Sequence, residues 1–203
     1  MTKPQFTFIP FISFVCVTLI SIHIMNILLA MQLNQFGILP RHIDGLIGII
    51  AHPFLHANWQ HLLQNLVSFS ILVALAWPLK SARVPWVIVF TALGEGLLVW
   101  LFARESFHIG LSGVVYGLWA YILVFAVSFR SIKAILIAIV VMFLYASFIW
   151  GLLPVIPGMS FETHLFGALM GGGLARYFAK KDKQALLKND LRYQTEQALK
   201  GKP

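Results

Sequence analysis

Gly110-Leu111-Ser112-Gly113-Val114-Val115-Tyr116-Gly117 joins a short polar stretch, Arg104 to His108, to an apolar run that continues to Phe129. Glycines at 110 and 113 permit a tight turn and leave the hydroxyl between them uncrowded. The run nearly matches the ~20 apolar residues that cross a hydrocarbon core. Ser112 then falls in the first turn of a membrane helix, where backbone N–H groups lack partners and the helix dipole is positive. Such a place suits an oxyanion. A plainer reading stands beside it, because small residues at helical spacing also serve close packing between membrane helices.

Of the 203 residues, 59% are hydrophobic and 11% charged. A soluble domain is about one quarter charged, so lipid is the solvent for most of this chain. Six apolar segments can be drawn, at about 8–31, 60–79, 85–103, 110–129, 132–152 and 161–179. The first is too long for a signal-peptide core and no clear cleavage site follows it, so it reads as a retained helix. Lys and Arg alternate sides. Thirteen of the 15 lie before the first segment, at the second-to-third connection, at the fourth-to-fifth connection (Arg130 and Lys133), or on the C-terminal side from Arg176 onward; the other connections hold only Arg41 and Arg104. The positive-inside rule places both termini in the cytoplasm. The net charge of +8 thus reports membrane orientation, and no nucleic-acid motif accompanies it. Cys16 stands alone, so no disulfide can form within the chain.

The expected fold is an all-α membrane protein, a six-helix transmembrane bundle over 1–179, followed by a basic cytoplasmic tail, 180–203. The tail reads as a solvated helix or a disordered end. The first outward loop, Gln32 to Trp59, is too apolar for an ordinary solvated loop, and short helices lying in the membrane interface are expected there. The last, Pro154 to Ser160, is either a plain connector or a lid.

Polar groups at membrane depth are expensive and mark functional sites. Here they are His61, Asn65, Glu95, Ser112, Tyr116 and His164. Counting from the basic residue at the cytoplasmic end of each segment, at about 1.5 Å per residue, places Ser112, His164, His61 and Asn65 roughly 22–28 Å up. They share one layer just under the outer surface. Ser112 needs a base, and His164 is the only histidine in the last two segments. A Ser–His pair is the minimum for an activated hydroxyl nucleophile. The two helices must then approach closely, and Gly113/Gly117 and Gly167/Gly171 give each a Gly-x-x-x-Gly spacing. Tyr116 lies one turn from Ser112, within reach of the imidazole. His61 and Asn65, four apart, project together as N–H donors beside the serine amide, as an oxyanion hole would require. Glu95, between Gly94 and Gly96 in mid-segment, reads as a buried bonding partner rather than a catalyst. Each residue also has a structural reading as a hydrogen-bonder or packing group; their conjunction favours chemistry.

Gly110-x-Ser112-Gly113 with His164-x-x-Gly167-x-x-x-Gly171, preceded by His56-x-x-x-x-His61-x-x-x-Asn65, closely resembles the rhomboid intramembrane serine proteases, especially the compact bacterial type. The resemblance implies that Ser112 is the nucleophile and His164 the general base, a dyad without an acid. It implies an oxyanion hole of His61, Asn65 and the Ser112 amide, with Tyr116 stacked on His164. His56 would belong to the base of the first outward loop. The Trp-Arg pair frequent in that loop is absent, the stretch here being Ile47-Gly48. The implied reaction is hydrolysis of a peptide bond in or near a substrate's transmembrane helix, close to the outer face of a bacterial inner membrane. No cofactor or metal is called for. Expected partners are transmembrane-helix proteins and the lipid bilayer, without nucleic acid; oligomeric state is open.

Other intramembrane proteases fit poorly. No His-Glu-x-x-His is present for a zinc enzyme, and Asp44, Asp182 and Asp190 all lie outside the apolar segments. The serious alternative is a catalytically silent rhomboid-like chaperone that holds client helices.

Overall fold

The computed structural model describes residues 7–155 and 158–200; sequence expectations involving Lys3, Ile156, Pro157 and Lys202 fall outside them. Among these residues eight α-helices follow in order: α1 Phe8–Leu28, α2 Gly48–Ala51, α3 Trp59–Lys80, α4 Val84–Phe102, α5 Ser112–Phe129, α6 Ile132–Leu144, α7 Phe148–Gly151 and α8 Phe161–Lys200. Among the described residues the only β-pairing is an isolated bridge between Ile38 and His108.

Local chemistry sets many of the boundaries. The Asn58 carboxamide oxygen accepts from the His61 N–H at 2.8 Å, capping α3. Pro85 lies in the first turn of α4, where its missing N–H costs nothing. Ser131 caps α6 through the Ala134 N–H at 3.2 Å. Arg130 ends α5 in the left-handed region, at φ 64°. The Asn26 side chain accepts from the Leu33 N–H and donates to Asn34, folding the chain back after α1.

Among the described residues four helices, α1, α3, α4 and α5, are long and apolar enough to cross a membrane. Their outward faces carry exposed Phe14, Val17, Leu63, Val67, Phe90 and Leu97. Helices that are apolar on both their packed and their open faces are solvated by lipid, so the chain is a multi-pass membrane protein. α5 is the centre: 67% of its apolar window is buried, against 11% for α1. α8 packs along the length of α5, and α4, α3 and α6 complete the ring around it.

Two features depart from the segments drawn on the sequence. The fifth segment is broken, with α6 ending at Leu144 and α7 restarting at Phe148. No Gly or Pro stands at the break. Contacts made by α7 to the centre of the bundle, described below, outweigh the local preference for one continuous helix. The sixth segment does not stop near 179, and the helix runs on to Lys200. Of the two readings of the tail, helix is the one observed as far as that residue. The stretch from Gln32 to Trp59 does hold short helices: 3-10 turns at Gln32–Phe36, Ile43–Leu46 and His52–Phe54 flank α2.

Candidate active site

The seam between α5 and α8 is made of backbone. A methyl group placed on Gly167 would strike the Gly113 carbonyl oxygen, and one on Gly171 would strike that of Gly117. Only glycine permits this approach. The sequence pairing of 113/117 with 167/171 is therefore realised as direct contact.

Where both helices begin, Ser112 Oγ lies 2.9 Å from His164 Nε2. His164 Nδ1 lies 2.9 Å from the Gly151 carbonyl oxygen at the end of α7. A carbonyl can only accept, so Nδ1 carries the ring proton and the neutral ring's Nε2 is left to accept from the serine hydroxyl. The Gly151 carbonyl thus fixes the tautomer that a buried acid fixes in a Ser-His-Asp triad. The ring plane is set by Tyr116, stacked at 4.1 Å between centroids and 8° between planes. Phe148 of α7 stacks in turn on Tyr116 at 4.5 Å. A side chain on Gly151 would collide with the Tyr116 hydroxyl, so α7 sits directly against the stack.

Ser112 opens α5, so its own N–H lies among those without an intrahelical acceptor. The turn before it depends on glycine at 110, where φ is 120°. A methyl there would lie 2.7 Å from His61 Cε1, 2.8 Å from His61 Nε2 and 3.7 Å from Asn65 Nδ2. His61 and Asn65 therefore converge on the serine loop from α3. Asn65 is buried, and its Nδ2 has no hydrogen-bond partner among the described residues. His61, Asn65, Ser112, Tyr116 and His164 all line one cavity of about 620 Å³, together with Phe107 and Met159.

The loop is anchored from beneath by two histidines. The Gly110 N–H donates to the His52 carbonyl at 2.8 Å. The Leu111 N–H reaches His56 Nε2 at 3.4 Å. Burial, with His61 and His23 nearby, pushes the His56 imidazole down to about 3, so it stays neutral and able to accept. Above the cavity, Arg104 bonds the Met159 carbonyl and pairs with Glu162 at 3.3 Å. His108 Nε2 donates to the Arg104 carbonyl at 3.0 Å, and its Nδ1 contacts Ser160 Oγ. Burial also holds His108 below its ordinary range.

Of the polar residues singled out from the sequence, His61, Asn65, Ser112, Tyr116 and His164 line this cavity, while His56 and Glu95 lie against the serine loop at Leu111 and Gly113. Two contributors had no readable signal: Gly151, which acts through a backbone oxygen, and Phe148. Glu95 was conspicuous as a charge in mid-helix, but its partner, His52, was not: the two side chains meet at 2.8 Å, both fully buried.

Comparison with known proteins identifies a family for the chain. The model of the Rhomboid domain matches residues 43–181. The chain is similar to an uncharacterized protein of Mycobacterium tuberculosis, 34% identical over 163 residues that make up 76% of this chain and 68% of the other. It is similar to a protein of Acanthamoeba polyphaga mimivirus named as a rhomboid protein, 29% identical over 160 residues, 76% of this chain and 86% of the other. It also resembles the rhomboid-like protein 11 of Arabidopsis thaliana chloroplasts, 36% identical over 73 residues, 35% of this chain and 26% of the other.

Proposed function

The chain belongs to the rhomboid family, and from that membership we propose that it is an intramembrane serine endopeptidase acting through a Ser112–His164 dyad. The observation that carries the reading is the 2.9 Å Ser112 Oγ–His164 Nε2 contact with Nδ1 committed to Gly151. Ser112 Oγ attacks the scissile carbonyl as its proton passes to Nε2. The oxyanion of the tetrahedral intermediate is met by the Ser112 N–H, the Asn65 amide and the His61 ring. His164 then returns the proton to the leaving amine. Water entering the cavity hydrolyses the acyl-enzyme by the same base, completing the cycle.

The substrate follows from the site's depth. A transmembrane helix keeps its carbonyls bonded, so the segment cut must unwind locally, through Gly, Pro or other helix-weakening residues. We place six spans in the bacterial inner membrane, with α6–α7 as the fifth and the outer half of α8 as the sixth. Both termini are cytoplasmic and the cavity opens on the other side, as the distribution of Lys and Arg supports. The first outward loop lies in the interface, where its exposed Ile43, Ile47 and Ile50 meet lipid.

The test is labelling by a fluorophosphonate or isocoumarin probe together with cleavage of a model transmembrane substrate. Wild type is expected to do both. Ser112→Ala is expected to do neither while still binding the substrate, and His164→Ala to be as damaged, because the two act as a unit. Labelling that survives in Ser112→Ala refutes the assignment. A wild type that binds substrate helices but neither labels nor cleaves is the chaperone.

A further inference from the structure

The serine loop hangs from two pieces of the fold that are remote in sequence. On one side, the His52 carbonyl accepts from the Gly110 N–H at 2.8 Å. On the other, the Glu95 carboxyl of α4 lies against Gly113, so closely that a methyl group there would overlap both carboxyl oxygens. These two supports are themselves joined, His52 Nε2 to Glu95 Oε1 at 2.8 Å, with no solvent exposure on either side chain. The result is a closed triangle around the residues just before and just after the nucleophile.

The protons in the pair can be counted. His52 Nδ1 lies 2.8 Å from the Gly48 carbonyl oxygen and must donate to it. One further proton lies between Nε2 and Oε1, so the pair is net neutral wherever that proton sits. Neither group is tolerable alone, since an unpaired charge or donor with no access to water is expensive. The backbone is built to let them meet. A methyl on Gly96 would lie 3.0 Å from the Ile49 carbonyl oxygen and 3.1 Å from His52 Cε1.

We propose that His52 and Glu95 are a positioning pair for the serine loop, their hydrogen bond fixing the Ser112 N–H and Oγ against the His61–Asn65 face. The inference rests on the protease reading of the site. Glu95 touches no substrate; it acts through Gly113 and through His52. A glutamine at 95 can keep the hydrogen bond, its carboxamide N–H facing an Nε2 left neutral because Nδ1 carries the ring proton to Gly48.

The experiment compares wild type, Ser112→Ala, Glu95→Gln and Glu95→Met in detergent, with kcat and KM measured per folded molecule on a model transmembrane substrate. Methionine approximates the volume without the hydrogen bond. Glu95→Gln is expected to keep kcat within about threefold, whereas Glu95→Met loses about 10- to 100-fold at a KM within about twofold, as a sub-ångström displacement of a nucleophile would. Fluorophosphonate labelling should slow in parallel. Wild-type kcat in Glu95→Met overturns the proposal, since filling space would then suffice. Glu95→Gln as impaired as the methionine variant overturns it too. If Glu95→Met does not fold, the glutamine variant decides alone: retained kcat supports the pair and a loss beyond about tenfold refutes it. A wild type inert to both substrate and probe, like Ser112→Ala, overturns the enzyme reading and this inference with it.

Discussion

The α5–α8 seam and the cavity rim facing it are built on opposite terms. Along the seam no side chain intervenes, and the Gly113 and Gly117 carbonyls rest against the glycines of the other helix. At the rim, Asn65 presents a buried amide nitrogen without a partner among the described residues, and α7 leans on the bundle through Phe148, against Tyr116 and Trp119, and one carbonyl. Close-packed backbone cannot slide without opening a void or creating an overlap, so the seam can hold two atoms at a fixed separation. A buried donor left unpaired costs about 1–3 kcal/mol; a rim that tolerates one is kept ready for charge that develops during reaction. On the protease reading proposed above, distance is assigned to the rigid side and charge stabilisation to the unsaturated side.

The largest effect should come from breaking the seam. Gly167→Val pushes a side chain into the Gly113 carbonyl, one residue from the nucleophile, and should cut kcat by about 100-fold or more, as a shift of about 1 Å does. Overpacking should also cost about 1–3 kcal/mol of stability. Gly173 on the same helix has nothing within 4 Å of an added methyl. Gly173→Ala should therefore be neutral or stabilising by up to about 1 kcal/mol. Turnover and thermal unfolding of the two variants, measured side by side, test the contrast; equal tolerance would mean that the seam does not set the dyad.

At the rim, Asn65→Ala should lower kcat by about 10- to 1000-fold, the range for one oxyanion donor. Stability should not fall, because no native hydrogen bond of that nitrogen is lost. Undiminished turnover would remove Asn65 from the role. Phe148→Ala loosens α7 and with it the Gly151 carbonyl that holds the His164 tautomer; about a tenfold loss in kcat is expected from this weaker, indirect support. Activity should also be lost in acid, since a protonated His164 has no nitrogen left to accept the serine proton. A rate that stays level down to the pH at which the protein unfolds would count against His164 as base.

The seam was legible in the sequence and much of the rim's support was not, for a physical reason. Gly-x-x-x-Gly at 113/117 and 167/171, a serine at a helix start and a histidine on the glycine face are periodic signals, and a helix converts period directly into position. Asn65 and His61 were legible on the same ground, being one turn apart. Gly151 contributes a carbonyl, which every residue has, so nothing in its identity announces the role. The break between α6 and α7 has no proline or glycine to mark it; it arises from what Phe148 and Gly151 touch. Glu95 was visible as a charge in an apolar run, but its pairing with His52 depends on how a loop folds onto α4, and no spacing rule reaches across 43 residues.

The far end of α8 separates global stability from local geometry. Asp182, buried, accepts from both terminal nitrogens of Arg83, one at 2.7 Å, and from Lys80 Nζ at 3.3 Å. The guanidinium also sits 4.8 Å over the Phe178 ring. Burial alone would raise this carboxyl's pKa, but the bonds and charge of Arg83, with Lys80, outweigh it and hold the group below the usual carboxylate range. A carboxyl lowered on folding contributes stability that is fully present above its unfolded pKa and is lost as pH falls through the folded one. Asp182→Asn should therefore cost about 1–3 kcal/mol near neutrality. The gap from wild type should close from about pH 4 downward, where the unfolded carboxyl begins to take up its proton. Thermal unfolding of both proteins across that range measures it. The kcat per folded molecule should not change, because the dyad is held by glycines some four turns away along α8, whose contact with α5 does not depend on this clamp. A loss of turnover in Asp182→Asn comparable to that in Gly167→Val would show that the seam transmits strain along its length, and that the separation of rigid and responsive regions is not local.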